Sequence, residues 1–194
     1  MRLYVMSVAY QRPIEMRILI DCFLVQTNPN WRLLMVHDGE GNEEVRATSR
    51  LYNDPRITYV ETSERHGEYG HPNRKSFLEE LISDRETFIL LTNDDNYYCP
   101  VFVDMMLAKC DKNTGFVYCD TVHSHFKYDV LKTTVKVDRI DIGAFIVRAD
   151  VARVVGFHNF AFNGDGYYAE ECADYCRKHN LGIKCIPKPI FVHN

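Results

Sequence analysis

Short apolar runs alternate with segments whose apolar positions recur at helical spacing through the first half of the chain. Residues 3–9 are rich in β-formers and predict a strand. Residues 14–26 predict a helix, with Pro13 near the first turn, where its missing N–H costs nothing, and Ile18, Leu19, Cys22 and Phe23 as its apolar face. Strands over 31–36 and 57–61 flank a helix over 43–52. A polar, glycine-containing segment, 62–72, leads into a helix over 73–82, and Phe88-Ile89-Leu90-Leu91-Thr92 then reads as a buried strand. This β-α-β-α-β order predicts an α/β fold with a largely parallel sheet covered on both faces. Ligands of such sheets bind at the carboxyl ends of the strands.

The second half is less regular. A helix is predicted over 101–110, a strand over 115–119, a loop or hairpin over 120–140, and a strand over 142–147. Asp150 is placed as the N-cap of a helix over 150–155. A turn over 162–166 precedes a helix over 167–179, and two short strands, 183–186 and 190–192, follow. No repeat, low-complexity tract or linker interrupts the 194 residues, which suit one domain with a first half, 1–98, and a second half, 99–194.

Composition narrows the function classes. The net charge of −4 and the lack of a long basic run argue against a nucleic-acid footprint. No run reaches the roughly 18 apolar residues of a membrane span. The opening residues read as a first strand, not a signal peptide, because Arg12 soon interrupts them. Seven scattered cysteines, with no Cys-x-x-Cys pair, suit reduced thiols in a cytoplasmic protein and give no zinc spacing.

The chemistry concentrates at strand ends. Asn93-Asp94-Asp95-Asn96 follows the buried 88–92 run. Adjacent carboxylates there repel each other and lose water, a cost that a hard divalent cation such as Mg²⁺ or Mn²⁺ offsets. The same four residues also read as a solvated turn. Asp38, in His37-Asp38-Gly39, lies at another strand end, so one crevice can hold Asp38, Asp94 and Asp95.

Several further motifs occur in a familiar order. They are Ser7-Val8-Ala9-Tyr10-Gln11-Arg12-Pro13, Gln26-Thr27-Asn28-Pro29-Asn30-Trp31, Val36-His37-Asp38-Gly39, Leu91-Thr92-Asn93-Asp94-Asp95-Asn96 and Gly164-Asp165-Gly166. In that order and spacing, over nearly its full length, the chain resembles the family 2 glycosyltransferases. The resemblance implies the GT-A fold, a three-layer α/β/α arrangement around a mostly parallel sheet. It also implies transfer of a sugar, with inversion, from a nucleotide-diphosphate sugar, a UDP-sugar by preference, to a hydroxyl acceptor such as a saccharide or other small molecule. Residues 1–98 would then bind the donor, and 99–194 would bind the acceptor and carry the base.

The resemblance also implies roles for particular residues. Ala9 and Tyr10 would meet the base, Arg12 a phosphate, and Asp38 the base or ribose. Asn73 and Arg74 begin a helix that packs beneath the donor sugar and diphosphate, with Gly67 and Gly70 allowing close backbone approach. Asp94 would contact ribose and metal-bound water, and Asp95 would coordinate Mn²⁺ or Mg²⁺, with His193 as a further ligand. Asn93 departs from the third Asp of many relatives. Asp165 is the expected general base, with Glu170 and Glu171 as rivals inside the following helix. Asp141 would shape the acceptor pocket. His123 and His125 share one face if their segment is extended; they read first as solvated or hydrogen-bonded loop histidines, and otherwise as bordering the acceptor site or adding to the metal site. Phe157, Phe160, Phe162, Tyr167 and Tyr168 suit a core or a sugar-stacking surface. Two rival readings are a sugar nucleotidyltransferase, disfavoured because 7–13 contains no Gly, and a non-catalytic nucleotide-sugar-binding module, disfavoured by the intact Asp94, Asp95 and Asp165.

Overall fold

A computed structural model describes residues 1–82 and 84–194. Its first half follows the apolar pattern closely: β1 (Arg2–Ala9), α1 (Pro13–Leu24), β2 (Trp31–His37), α2 (Glu43–Arg50), β3 (Ile57–Glu61), α3 (His71–Glu80) and β4 (Thr87–Asn93). These four strands are parallel, in the order β3-β2-β1-β4. β4 is buried along almost its whole length, because both of its faces are covered, so its sequence is continuously apolar instead of alternating. Burying Phe88, Leu90 and Leu91 contributes about 1.5–3 kcal/mol each relative to exposure.

The second half extends the same sheet with mixed pairing. It comprises β5 (Tyr97–Tyr98), α4 (Phe102–Leu107), β6 (Thr114–His123), β7 (Asp129–Leu131), β8 (Phe145–Arg148), α5 (Ala149–Val155), α6 (Gly164–Lys178) and β9 (Gly182–His193). β8 joins β4 to β6 by antiparallel pairing, and β9 lies parallel to β6. Within 120–140, expected as a loop or a hairpin, β6 runs on past its expected end at 119 to His123 and pairs with β7 as a short hairpin, and a loop follows from 132 to 141. Helices α1 and α2 pack together, while α3, α5 and α6 form a second group. All seven cysteines are unpaired, and no helix among the described residues is long and apolar enough to cross a membrane.

Several expectations need correction. The buried face of α1 is Met16, Leu19, Ile20 and Phe23; Ile18 is exposed, because the helix turns that side to solvent. Ile142–Ala144 is a 3₁₀ turn, not strand, and only Phe145–Arg148 pairs. Arg148, not Asp150, stands at the N-cap of α5; the Asp150 carboxylate instead takes the Arg148 guanidinium (2.6 and 2.9 Å). The final segments are one strand, not two: register shifts around Asp120 absorb Pro187 and Pro189.

The correction that matters most lies at Gly164-Asp165-Gly166, which forms the first turn of α6 and not a turn preceding it. Neither glycine has a positive φ. A Cβ on Gly164 would sit 2.1 Å from the Asn159 carbonyl oxygen, and one on Gly166 would sit 2.8 Å from Val137 Cα. Both residues are glycine because other backbone lies against them, not because the chain turns there.

Gly70 is different. Its φ is +79°, and a Cβ there would meet the Val8 side chain at 2.7 Å. Gly70→Ala is therefore expected to lower stability by about 1–3 kcal/mol, read from urea unfolding midpoints.

Candidate functional site

Parallel pairing brings the strand ends together. The Asp38 N–H donates to the Ala9 carbonyl (2.9 Å) and the Asp94 N–H to the Val8 carbonyl (3.1 Å), so both acids flank the end of β1. Buried His37 fixes the loop that follows. Its Nε2 accepts from the Gln11 N–H (3.0 Å), which leaves Nδ1 to donate to the Gly39 carbonyl (2.7 Å). This holds Gln11 at φ +52° and sends Arg12 over the acidic pair.

Arg12 binds both carboxylates. Its Nη2 lies 2.6 Å from Asp94 Oδ1, and Nη1 donates to Asp95 Oδ2. Asp94 is fully buried, yet neither of its carboxylate oxygens has a partner in hydrogen-bonding geometry. Burial pushes its carboxyl up to about 7; Arg12 works against this and Asp95 adds to it. A buried carboxylate compensated mainly by the partly exposed Arg12, beside a second carboxylate, matches the hard oxygen set that a divalent cation takes.

Asp38 is also buried. Oδ1 accepts from the His66 N–H (2.9 Å) and the Asn73 amide (2.8 Å), and Oδ2 from the Gly67 N–H (2.9 Å). Burial raises its pKa, and these three bonds outweigh burial and hold it below the usual value. Asp38 and Asn73 thus clamp the 66–70 loop. Tyr10 is exposed on one side of this region, with the Arg65 guanidinium 3.8 Å over its ring.

Arg74 joins the two halves. It is fully buried, and Nη1 donates to the Tyr69 carbonyl (2.7 Å) and to His71 Nδ1 (2.9 Å). Nη2 donates to Asn93 Oδ1 and to the Thr92 carbonyl (3.3 Å). Asn93 is therefore an acceptor for Arg74. His71 passes the chain of bonds on, its Nε2 donating to the Ala161 carbonyl (3.1 Å) just before α6. Burial and then Arg74 hold His71 at about 4, so it stays neutral in this role.

Beyond Arg74 opens a cavity of about 270 Å³ lined by Arg74, Asn93, Asp141, Asp165, His193 and the exposed rings of Tyr69 and Phe162, among others. Asp165 Oδ1 accepts from the Gly166 N–H (2.8 Å) and Oδ2 from the Ile142 N–H (3.2 Å). Burial first and the Asp141 charge second push its carboxyl up to about 7, against Arg74. Asp141 is raised too, chiefly by burial. The rival acids are placed elsewhere: Glu170 Oε1 accepts from the Val137 N–H (2.9 Å), and Glu171 is exposed. Phe157 and Tyr168 are core residues.

His193 lies against Asp141, Nε2 to Oδ2 at 3.2 Å, and its ring stacks on His123 with centroids 4.1 Å apart. His123 is held at about 4 by burial, then by His193 and His125; His193 is lowered by burial first. Asp95 is not in this cluster, since its carboxylate is turned to Arg12.

Ala9, Arg12, Asp38, Asn73, Asp94 and Asp95 thus gather around the end of β1 and the adjoining loop. Asp141, Asp165 and His193 gather around the cavity, and Arg74 spans the two groups. The positioning roles of His37, His71 and Arg74 were not read from the sequence. His37 had one signal, a polar residue closing a buried strand; a buried Arg inside an ordinary helical pattern has none.

No protein-family model matches the chain, and no curated protein matches it by sequence. Solved structures do match. TarS 1–349 of S. aureus superposes with a TM-score of 0.74 at 14% identity, over 100% of this chain and 60% of that one. Its complex with UDP gives 0.75 at 13%, over 99% of this chain and 60% of that one. The mannosyltransferase PcManGT of Pyrobaculum calidifontis, with GDP-Man and Mn²⁺, gives 0.70 at 17%, over 99% and 56%.

The fold is GT-A.

At these identities the likeness concerns the fold, and the chain spans about 60% of the TarS 1–349 chain. The GT-A sheet accounts for the placement of the acids: β1, β2 and β4 end side by side, and the mixed half brings α6 and the end of β9 to the same cavity.

Proposed function

We propose that the protein is a metal-dependent, inverting glycosyltransferase that moves a sugar from a nucleotide-diphosphate sugar, a UDP-sugar by preference, to a hydroxyl acceptor. The observation that carries this reading is Asp165, a carboxylate of raised pKa, facing the cavity beyond the acidic strand end, with Arg74 between them. The complexes of similar solved structures with UDP, UDP-GlcNAc and GDP-Man support the donor class.

In this reading the exposed face of Tyr10 takes the base beside Ala9 and displaces Arg65. Asp38 trades a loop N–H for a base or ribose contact, and Asn73 keeps the loop in place. Asp95, with Asp94 behind it, would hold Mn²⁺ or Mg²⁺; His193, the further ligand expected, lies against Asp141 and His123 instead. Such an ion, when bound, neutralises the diphosphate and the charge on the departing group. Arg12 leaves the carboxylates for a phosphate. Asp165 accepts the proton of the acceptor hydroxyl as that oxygen attacks the anomeric carbon from the face opposite the diphosphate.

The test is release of nucleotide diphosphate from UDP-sugars and GDP-mannose, with Mn²⁺ and with chelator, across pH. A base must be unprotonated, so the rate is expected to rise with pH through about 7, well above the ordinary carboxylate range. The same shift makes the folded state lose stability as pH rises from the usual Asp value through about 7, because the unfolded chain gives up that proton more readily. Release that is flat from pH 5 to 9, or unaffected by chelator, would contradict the reading. A non-catalytic module would bind the donor and release nothing.

A further inference from the structure

The pairing of β6 with β9 sets His123 directly opposite His193. Residues opposite one another in a sheet point to the same side, so the register alone stacks the two imidazoles. Asp141, preceding the 3₁₀ turn, adds a carboxylate from a third element. Its Oδ1 is fixed by the Gly143 N–H (2.9 Å), which leaves Oδ2 turned to His193. One ligand atom from each of His123, Asp141 and His193 lies within 4.8 Å of the others, and no other such trio occurs among the described residues.

We infer that His123, Asp141 and His193 form a binding site for a borderline divalent transition metal, such as Zn²⁺ or Co²⁺. This site is distinct from the hard-cation site at Asp94 and Asp95. Ligand atoms on such an ion, about 2.1 Å from it, stand about 3.4 Å apart in a tetrahedral shell, so small side-chain rotations close the shell. Two imidazoles and one carboxylate favour these ions and disfavour Mg²⁺, which keeps oxygen ligands and water. The outer contacts are present: Ser124 Oγ lies 3.3 Å from His193 Nδ1, and the Gly143 N–H holds Asp141. The His125 N–H gives His123 Nδ1 only a long 3.2 Å bond, which an ion can displace. An ion here also withdraws His193 from any cation at Asp95.

The test is a Co²⁺ titration of the whole chain, free of nucleotide, followed by visible absorption and calorimetry. It is repeated for His123→Ala and Asp95→Asn, with folding checked by circular dichroism. The expected result is one equivalent of Co²⁺ with a nitrogen-rich absorption band that Zn²⁺ removes and a large excess of Mg²⁺ does not. His123→Ala is expected to weaken binding at least tenfold, while Asp95→Asn leaves it within about twofold. Binding lost with Asp95→Asn but kept with His123→Ala would overturn the inference and put the ion on the donor carboxylates. No Co²⁺ binding by the folded wild-type chain would overturn it as well. Either result leaves the role of Asp165 as base to be read separately, from donor turnover.

Discussion

Asp165→Asn is expected to reduce sugar transfer by about 10²–10⁴-fold, the range a general base contributes, while UDP binding changes less than about twofold. The side chain keeps its shape, and its site is well defined by the Gly166 and Ile142 N–H groups. What changes is the ability to take a proton. The amide removes a charge that Asp141 opposes, but its NH₂ cannot accept from one of the two N–H groups, so the folded protein loses about 1–3 kcal/mol at most. Transfer is measured by nucleotide release and binding by calorimetry. Turnover close to wild type would remove Asp165 from its role. Glu170 is not a ready substitute, because its carboxylate is engaged with the Val137 N–H.

Arg74→Met is expected to be the most destabilising single change in the site. The guanidinium is fully buried, and burial draws its pKa down to about 10, with Asp165, Asp141 and Asp95 opposing that shift. Its removal leaves the Tyr69 carbonyl, Asn93 Oδ1 and His71 Nδ1 without this donor. It also leaves Asp141 and Asp165 facing each other without their counter-charge. Removing one partner from a buried charge network costs about 3–5 kcal/mol, so urea denaturation should show a loss of that size. Arg74→Lys keeps the charge but not the planar fork that reaches both Tyr69 and Asn93, and should recover only part of the loss. A change below about 1 kcal/mol for the methionine variant would mean that solvent reaches this group far more than its burial implies.

The parallel half of the sheet was legible because the signal there is local. Short apolar runs such as 88–92, bounded by polar residues, read as buried strands, and β3 matches its expected limits of 57 and 61. Legibility ended where a residue's meaning depends on what packs against it. Gly164 and Gly166 look like turn residues, but they sit in a helix beneath other backbone. Pro187 and Pro189 suggest a break between strands, yet a bulge beside Asp120 carries one strand through.

The candidate site divides the same way. The acids at strand ends could be located from the sequence, because a strand end is a sequence-level feature. The cross-strand pairing of His123 with His193 and the reach of Arg74 from α3 to β4 are tertiary facts, and no periodicity encodes them. Asp38 shows both sides: its place at the end of β2 was readable, but its hold on the 66–70 loop was not.

Calorimetric titration with UDP, GDP and CDP, each with Mn²⁺ and with excess chelator, tests most directly for a donor site at the ends of β1, β2 and β4. The expected result is selective binding of one nucleotide, UDP foremost, that chelator abolishes and Asp95→Ala weakens at least about tenfold, or about 1.4 kcal/mol. Failure of the folded protein to bind any of the three, or binding indifferent to both chelator and Asp95, would contradict it.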